Sequence, residues 1–82
     1  MKITLKLYAG LSQYLPVDSK NHSTKLDISS SATASSVLDK FVPEGAAHLV
    51  LLNGVFLEPE ERKLPKLKDG DTLAVWPPVA GG

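Results

Sequence analysis

Cysteine is absent from the chain, which excludes a disulfide framework, a thiolate metal site and a cysteine nucleophile. No charge of one sign prevails: nine Lys and Arg balance nine Asp and Glu. The basic excess that marks a nucleic-acid partner is therefore missing. No apolar run approaches the roughly 20 residues needed to cross a bilayer. The opening Met1-Lys2-Ile3-Thr4-Leu5-Lys6 alternates polar with apolar and does not read as a signal peptide. A glycine-rich phosphate loop and a serine-centred nucleophile elbow are both lacking. What is present is ordinary: 82 residues, 43% hydrophobic and 22% charged, enough for one domain with a small core. These bounds predict a cytoplasmic globular domain with no catalytic centre, no nucleic-acid partner and no membrane partner.

Hydrophobic periodicity supplies the element order. Residues 2–8 alternate, with Ile3, Leu5 and Leu7 on one face and Lys2, Thr4, Lys6 and Tyr8 on the other, as in a half-buried strand. Residues 9–15 suit a short helical turn ended by Pro16, and residues 17–24 read as polar loop. Residues 25–29 alternate again, with Leu26 and Ile28 inward, and should pair with the first strand. Thr33 is a natural N-cap, after which Ala34, Val37, Leu38 and Phe41 form one apolar stripe. Pro43 closes that helix a residue or two earlier.

Asn53-Gly54, between the apolar runs 48–53 and 55–58, is a strong hairpin signal. Its register sets 52 opposite 55 and 51 opposite 56. If Glu58 faces water, Leu51 and Phe56 point outward, while Val50, Leu52, Val55 and Leu57 point inward. Residues 59–67 are charged and irregular, with Leu64 and Leu67 as anchors. Lys68-Asp69-Gly70-Asp71 is a turn, and residues 72–76 form a last strand stopped by Pro77-Pro78, which have no N–H to donate. First and last strands would lie parallel, with the helix inside the crossover between them. The expectation is an α+β, ubiquitin-like β-grasp fold: a mixed sheet of four to five strands with one main helix across one face. It spans residues 1–78 and leaves 79–82 as a flexible tail.

Few side chains suggest chemistry. His22 and His48 are far apart and lack the carboxylate spacing of a metal site. Asn21-His22-Ser23 fits a glycosylation acceptor only by accident. Asp69-Gly70-Asp71 lacks the ligand loop that calcium needs, and Glu58, Glu60 and Glu61 sit in a solvated, charged stretch. The ending is more informative. Trp76-Pro77-Pro78-Val79-Ala80-Gly81-Gly82 follows a terminal strand, and glycine has no Cβ, so such a backbone enters a slot too narrow for other residues. Four residues beyond Pro78 reach about 13–14 Å, directed outward by the stiff proline pair. The terminal carboxylate of Gly82 is unreactive until it is activated.

Together with the opening strand, the helix after Thr33, Leu52-Asn53-Gly54 and Leu67-Lys68-Asp69-Gly70-Asp71, this ending resembles the MoaD/ThiS family of ubiquitin-like sulfur carriers. The Pro-Pro-Val-x-Gly-Gly pattern is most similar to that of molybdopterin synthase small subunits. The resemblance implies a non-catalytic carrier that binds no cofactor. An E1-like enzyme would use ATP to adenylate Gly82, and a sulfur donor would convert it to a thiocarboxylate. The carrier would then dock on a MoaE-like large subunit, or on another sulfur acceptor, and supply sulfur for the molybdopterin dithiolene. Val79, Ala80 and Gly81 would form the tail. Tyr8, Leu51, Phe56, Trp76, Pro77 and Pro78 would form the partner-binding surface, because large exposed aromatics favour interfaces. The polar loop 17–24 and the charged stretch 59–66 depart from the family pattern and bear on partner choice. Carriage for thiamine, tungsten cofactor, tRNA or amino-acid synthesis remains as an alternative, as do a protein modifier and a plain interaction module.

Overall fold

Five strands hold the chain together in an order the linear sequence does not follow. The computed structural model describes residues 1–78; the expected tail, 79–82 with Val79, Ala80, Gly81 and Gly82, lies outside the described residues. The strands are β1 (Lys2–Leu7), β2 (Ser23–Asp27), β3 (Leu49–Leu52), β4 (Val55–Phe56) and β5 (Thr72–Trp76), and the helix is α1 (Ala34–Leu38). The sheet runs β2-β1-β5-β3-β4. β1 and β5 are parallel, with Leu5 beside Leu73 and Leu7 beside Val75; the other pairs are antiparallel. This is the mixed β-grasp sheet, with β5 at its centre between β1 and β3.

Alternation makes one side of that sheet the core. Ile3, Leu5, Leu7, Val50, Leu57, Leu73 and Val75 are buried together with Ala34, Val37 and Leu38 of α1. The helix starts where sequence places it. Thr33 Oγ1 accepts from the Ser36 N–H at 3.0 Å, and Ser36 Oγ accepts from the Thr33 N–H at 2.9 Å. This reciprocal capping box satisfies a donor at each end of the first turn.

Several expectations need correction. The α-helix ends at Leu38; toward Pro43 the chain continues in tighter turns, with Phe41 N–H donating to the Leu38 carbonyl at 3.0 Å. β2 spans Ser23–Asp27, two residues earlier at each end than the expected 25–29, so it takes in the last two residues of the expected loop 17–24. Asn21 and His22 both take left-handed φ values, 54° and 59°, and close a tight turn in which Lys20 and Ser23 exchange backbone hydrogen bonds. Val55, expected inward, is 69% exposed, and Leu64, expected as an anchor, is 47% exposed. Val55 stands on the two-residue edge strand β4, at the open end of the sheet. An open groove of about 370 Å³, walled by Leu52, Val55, Leu57, Glu61 and Lys66, occupies that place. Leu67 alone anchors the charged stretch, which includes a 3₁₀ turn at Glu61–Lys63.

The two turn motifs singled out in the sequence meet in space. Asn53, at φ 51°, donates from Nδ2 to Asp71 Oδ1 at 2.9 Å and accepts the Thr72 N–H on Oδ1 at 2.9 Å. Asp71, 9% exposed, also accepts the Lys68 N–H at 2.8 Å. The Asn-Gly hairpin and the Lys-Asp-Gly-Asp turn thus act as one lock on the edges of β3 and β5.

Candidate docking interface

The face of the sheet opposite α1 is uncovered, and strand register dictates what stands on it. Residues 4, 6 and 8, 72, 74 and 76, 49 and 51, and 56 share the outward parity. Lys6, Ala74, Leu51 and Phe56 lie in one row across β1, β5, β3 and β4; Trp76 and Leu49 stand side by side in the next. Tyr8 extends the parallel ladder past Leu7, its N–H donating to the Val75 carbonyl at 3.0 Å. That bond sets Tyr8 beside Trp76, and the rings stack with centroids 4.5 Å apart and planes 8° from parallel.

All four side chains expected on this face are there, and the structure gathers them through a fifth. Tyr8 and Trp76 form one group, and Leu51 and Phe56 another as cross-strand neighbours. Leu49, 36% exposed, joins them, because it opposes Trp76 and shares its face with Leu51 two residues on. Its parity with Leu51 was available in the sequence. Phe56 is 45% exposed, so the patch runs from a half-buried aromatic stack to an open ring. Pro77 and Pro78 follow directly from Trp76, whose carbonyl accepts the His48 N–H at 3.0 Å. β5 is therefore held firmly up to its last residue.

Two further side chains border the patch without an obvious signal in the sequence. His22 stacks on the other side of Tyr8 at 5.7 Å, brought there by the left-handed turn that precedes β2. Arg62 lies with its guanidinium carbon 5.9 Å from the Phe56 ring centroid. It donates from Nε to the Leu57 carbonyl at 3.0 Å and from Nη2 to the His48 carbonyl at 3.3 Å, so it straps β4 to the start of β3. A cation over an aromatic face stabilises both. Nearby, Glu61 is hydrogen-bonded to the Lys66 ammonium, which holds its carboxyl below the usual range.

Among the described residues, no three His, Asp or Glu side chains cluster as metal ligands, and no helix is long and apolar enough to cross a membrane. The rings and Leu49 offer an apolar anchor with a polar border, the arrangement of a protein interface.

Comparison with known proteins agrees with this architecture. The HVO 2177 protein of Haloferax volcanii matches with a TM-score of 0.70 and 25% identity, over 100% of this chain and 87% of that one. SAMP1, small archaeal modifier protein 1 of the same organism, matches with a TM-score of 0.65 and 23% identity over the full length of both chains. A chain from the complex of subunits 1 and 2 of the molybdopterin-converting factor from Helicobacter pylori 26695 matches with a TM-score of 0.59 and 18% identity, again over both full chains. At these lower identities the likeness is one of fold. No curated protein matches in sequence. The model of the ThiS family matches residues 11–82, and the chain accordingly belongs to the ThiS family of MoaD/ThiS-type, ubiquitin-like sulfur carriers.

Proposed function

We propose that the protein is a sulfur carrier for molybdopterin synthesis, a substrate and subunit rather than a catalyst. The observation that carries this reading is the family match, which runs through Gly81 and Gly82 immediately beyond the strand that bears the docking face. The Gly82 carboxylate attacks the α-phosphorus of ATP in an E1-like partner, displacing pyrophosphate and forming an acyl adenylate. Sulfide delivered by a donor displaces AMP and leaves a thiocarboxylate. Tyr8, Leu49, Leu51, Phe56 and Trp76 seat the carrier on each partner in turn, with Pro77 and Pro78 guiding Val79, Ala80, Gly81 and Gly82 into the partner's site. A MoaE-like large subunit is the proposed acceptor, in keeping with the two-subunit Helicobacter pylori complex.

The missing cysteine makes the test specific. Replacing one oxygen by sulfur adds about 16 Da, but so does oxidation of Met1 to the sulfoxide. With no cysteine in the chain, a thiol alkylating reagent has no side-chain thiol to modify. After incubation with ATP, the activating enzyme and sulfide, one alkyl adduct on the C-terminal fragment is expected, dependent on ATP. Deleting Gly82 shortens the reach by about 3.5 Å and should nearly abolish the adduct, since a misplacement of about 1 Å already costs on the order of a hundredfold in rate. Replacing Gly81 by Ile should block adenylation while docking persists. Normal labelling of the Gly82-deleted chain would defeat the mechanism.

A second reading is favoured by the likeness to SAMP1: attachment of Gly82 to protein lysines. It predicts a ladder of heavier conjugates in cells, which a pure carrier does not produce.

A further inference from the structure

The sheet has two edges, and they differ in kind. β4 is two residues long, whereas β2 presents five residues with no strand beyond it among the described residues. The backbone parity of β2 is set by the bonds at its two ends. Ile28 N–H donates to the Met1 carbonyl at 2.7 Å, and the His22 carbonyl accepts the Leu7 N–H at 2.9 Å. Residues 24, 26 and 28 therefore turn their polar groups toward β1, and Lys25 and Asp27 turn theirs outward. At Ser23 the edge is already closed, because both its N–H and its carbonyl are engaged by Lys20. An open, uncovered edge of this kind is a template for another strand.

Side chains alternate on the same segment. Lys25 and Asp27 are exposed on the face opposite the helix. Leu26 and Ile28 point to the helix side and are half-buried along a groove of about 490 Å³, whose far wall is Ser36, Val37, Lys40 and Phe41. Read in either direction about Leu26, the segment from Thr24 to Ile28 places a cation where its reverse places an anion.

We propose that the β2 edge is a self-complementary dimer interface, in which a second copy of this chain pairs antiparallel about a two-fold axis through Leu26. Lys25 then opposes Asp27 of the second copy, and Asp27 opposes its Lys25. These are also the residues whose N–H and C=O groups face outward, so the two pairs exchange four backbone hydrogen bonds. Leu26 meets its own counterpart, and Thr24 faces Ile28, on the helix side. Other registers fail on physical grounds. A one-residue slip sets the groove side of one copy against the open face of the other. A two-residue slip puts Lys25 against Lys25 or Asp27 against Asp27, and like charges directly opposite are destabilising. The Lys20–Ser23 closure blocks longer slips toward the start of β2. A foreign strand would need no such internal symmetry of charge. The Trp76, Leu49 and Phe56 patch stays open, because it lies toward the other edge of the sheet.

Five residues on each side make a small contact, in the weak and transient class, so association is read at concentrations up to about 1 mM. Sedimentation equilibrium of the full chain should show a reversible monomer–dimer equilibrium that weakens with salt. Lys25→Asp alone and Asp27→Lys alone should each raise the dissociation constant about tenfold or more, because both symmetry-related pairs change from attraction to repulsion. An equimolar mixture of the two variants should dimerise again, since every Asp of one then opposes a Lys of the other. Circular dichroism melts of the two variants verify that both remain folded. A register check uses Leu26→Cys, whose sulfurs would sit across a pair with Cα atoms about 4.5 Å apart, within disulfide range; Thr24→Cys should not cross-link. A wild-type chain that stays monomeric at about 1 mM, a dimer indifferent to both charge reversals, or a mixture that stays monomeric would overturn the proposal.

Discussion

Replacing Asn53 by Ala tests whether the contact between the two turn motifs is a structural lock. The substitution removes the Nδ2 bond to Asp71 and the Oδ1 bond from the Thr72 N–H, both at 2.9 Å. A hydrogen bond to a charged group contributes about 1.5–3 kcal/mol and a neutral one about 0.5–1.5 kcal/mol. The backbone adds a third cost. At φ 51° a side chain without local polar groups costs about 1 kcal/mol. Asn53 is exposed, so water replaces part of the bond to Thr72, and the expected loss is about 2–4 kcal/mol. Against a total of roughly 4–12 kcal/mol for a chain of this length, that is a large fraction. At about 4–8 °C per kcal/mol, the melting temperature should fall by roughly 8–32 °C. Urea denaturation followed by circular dichroism gives the free energy directly. Asn53→Gly separates the contributions, because it relieves the left-handed backbone without restoring either bond. It should recover about 1 kcal/mol. A loss below about 1 kcal/mol for Asn53→Ala, or a loss that Asn53→Gly recovers in full, would refute the lock.

The remaining expectations follow from single contacts. Trp76→Ala removes the Tyr8 stack, worth about 0.5–1.5 kcal/mol beyond its buried area, so the melting temperature should drop measurably. Leu49→Ala should change the unfolding free energy by no more than about 0.5 kcal/mol. Both should weaken binding to the activating enzyme and to the acceptor subunit by about fivefold or more, and the two partners should compete; calorimetric titration of each, alone and with the other present, measures this. Gly54→Ala should cost about 1 kcal/mol from backbone alone, because φ is 83° and no atom lies within 4 Å of the added Cβ. The Glu61 carboxyl is held low by Lys66, so the pair contributes above the ordinary carboxylate range and its contribution is lost as pH falls through the depressed value. Lys66→Ala should therefore melt slightly below wild type at neutral pH and coincide with it in acid.

Much of this was legible in the chain because local physics decides it. Period-two alternation put Ile3, Leu5 and Leu7 in the core, and the same rule placed Tyr8, Leu51, Phe56 and Trp76 on the other face. The Thr33 cap, the Asn53-Gly54 register and the bounds of the last strand depend on near neighbours alone, and each is found where sequence puts it. Length of helix and depth of burial are not local. Nothing in the stripe through Phe41 says that regular α-helix stops at Leu38, or that the β3–β4 end is left under an open groove with Val55 and Leu64 in solvent. The lock between Asn53 and Asp71, the stack of His22 on Tyr8 and the Arg62 strap over Phe56 join residues distant in the chain, and only the packed sheet brings them together. The unpaired edge at Lys25 and Asp27 is of the same kind. Its charges are written in the sequence, but strand order alone leaves them at a border rather than in the middle of the sheet.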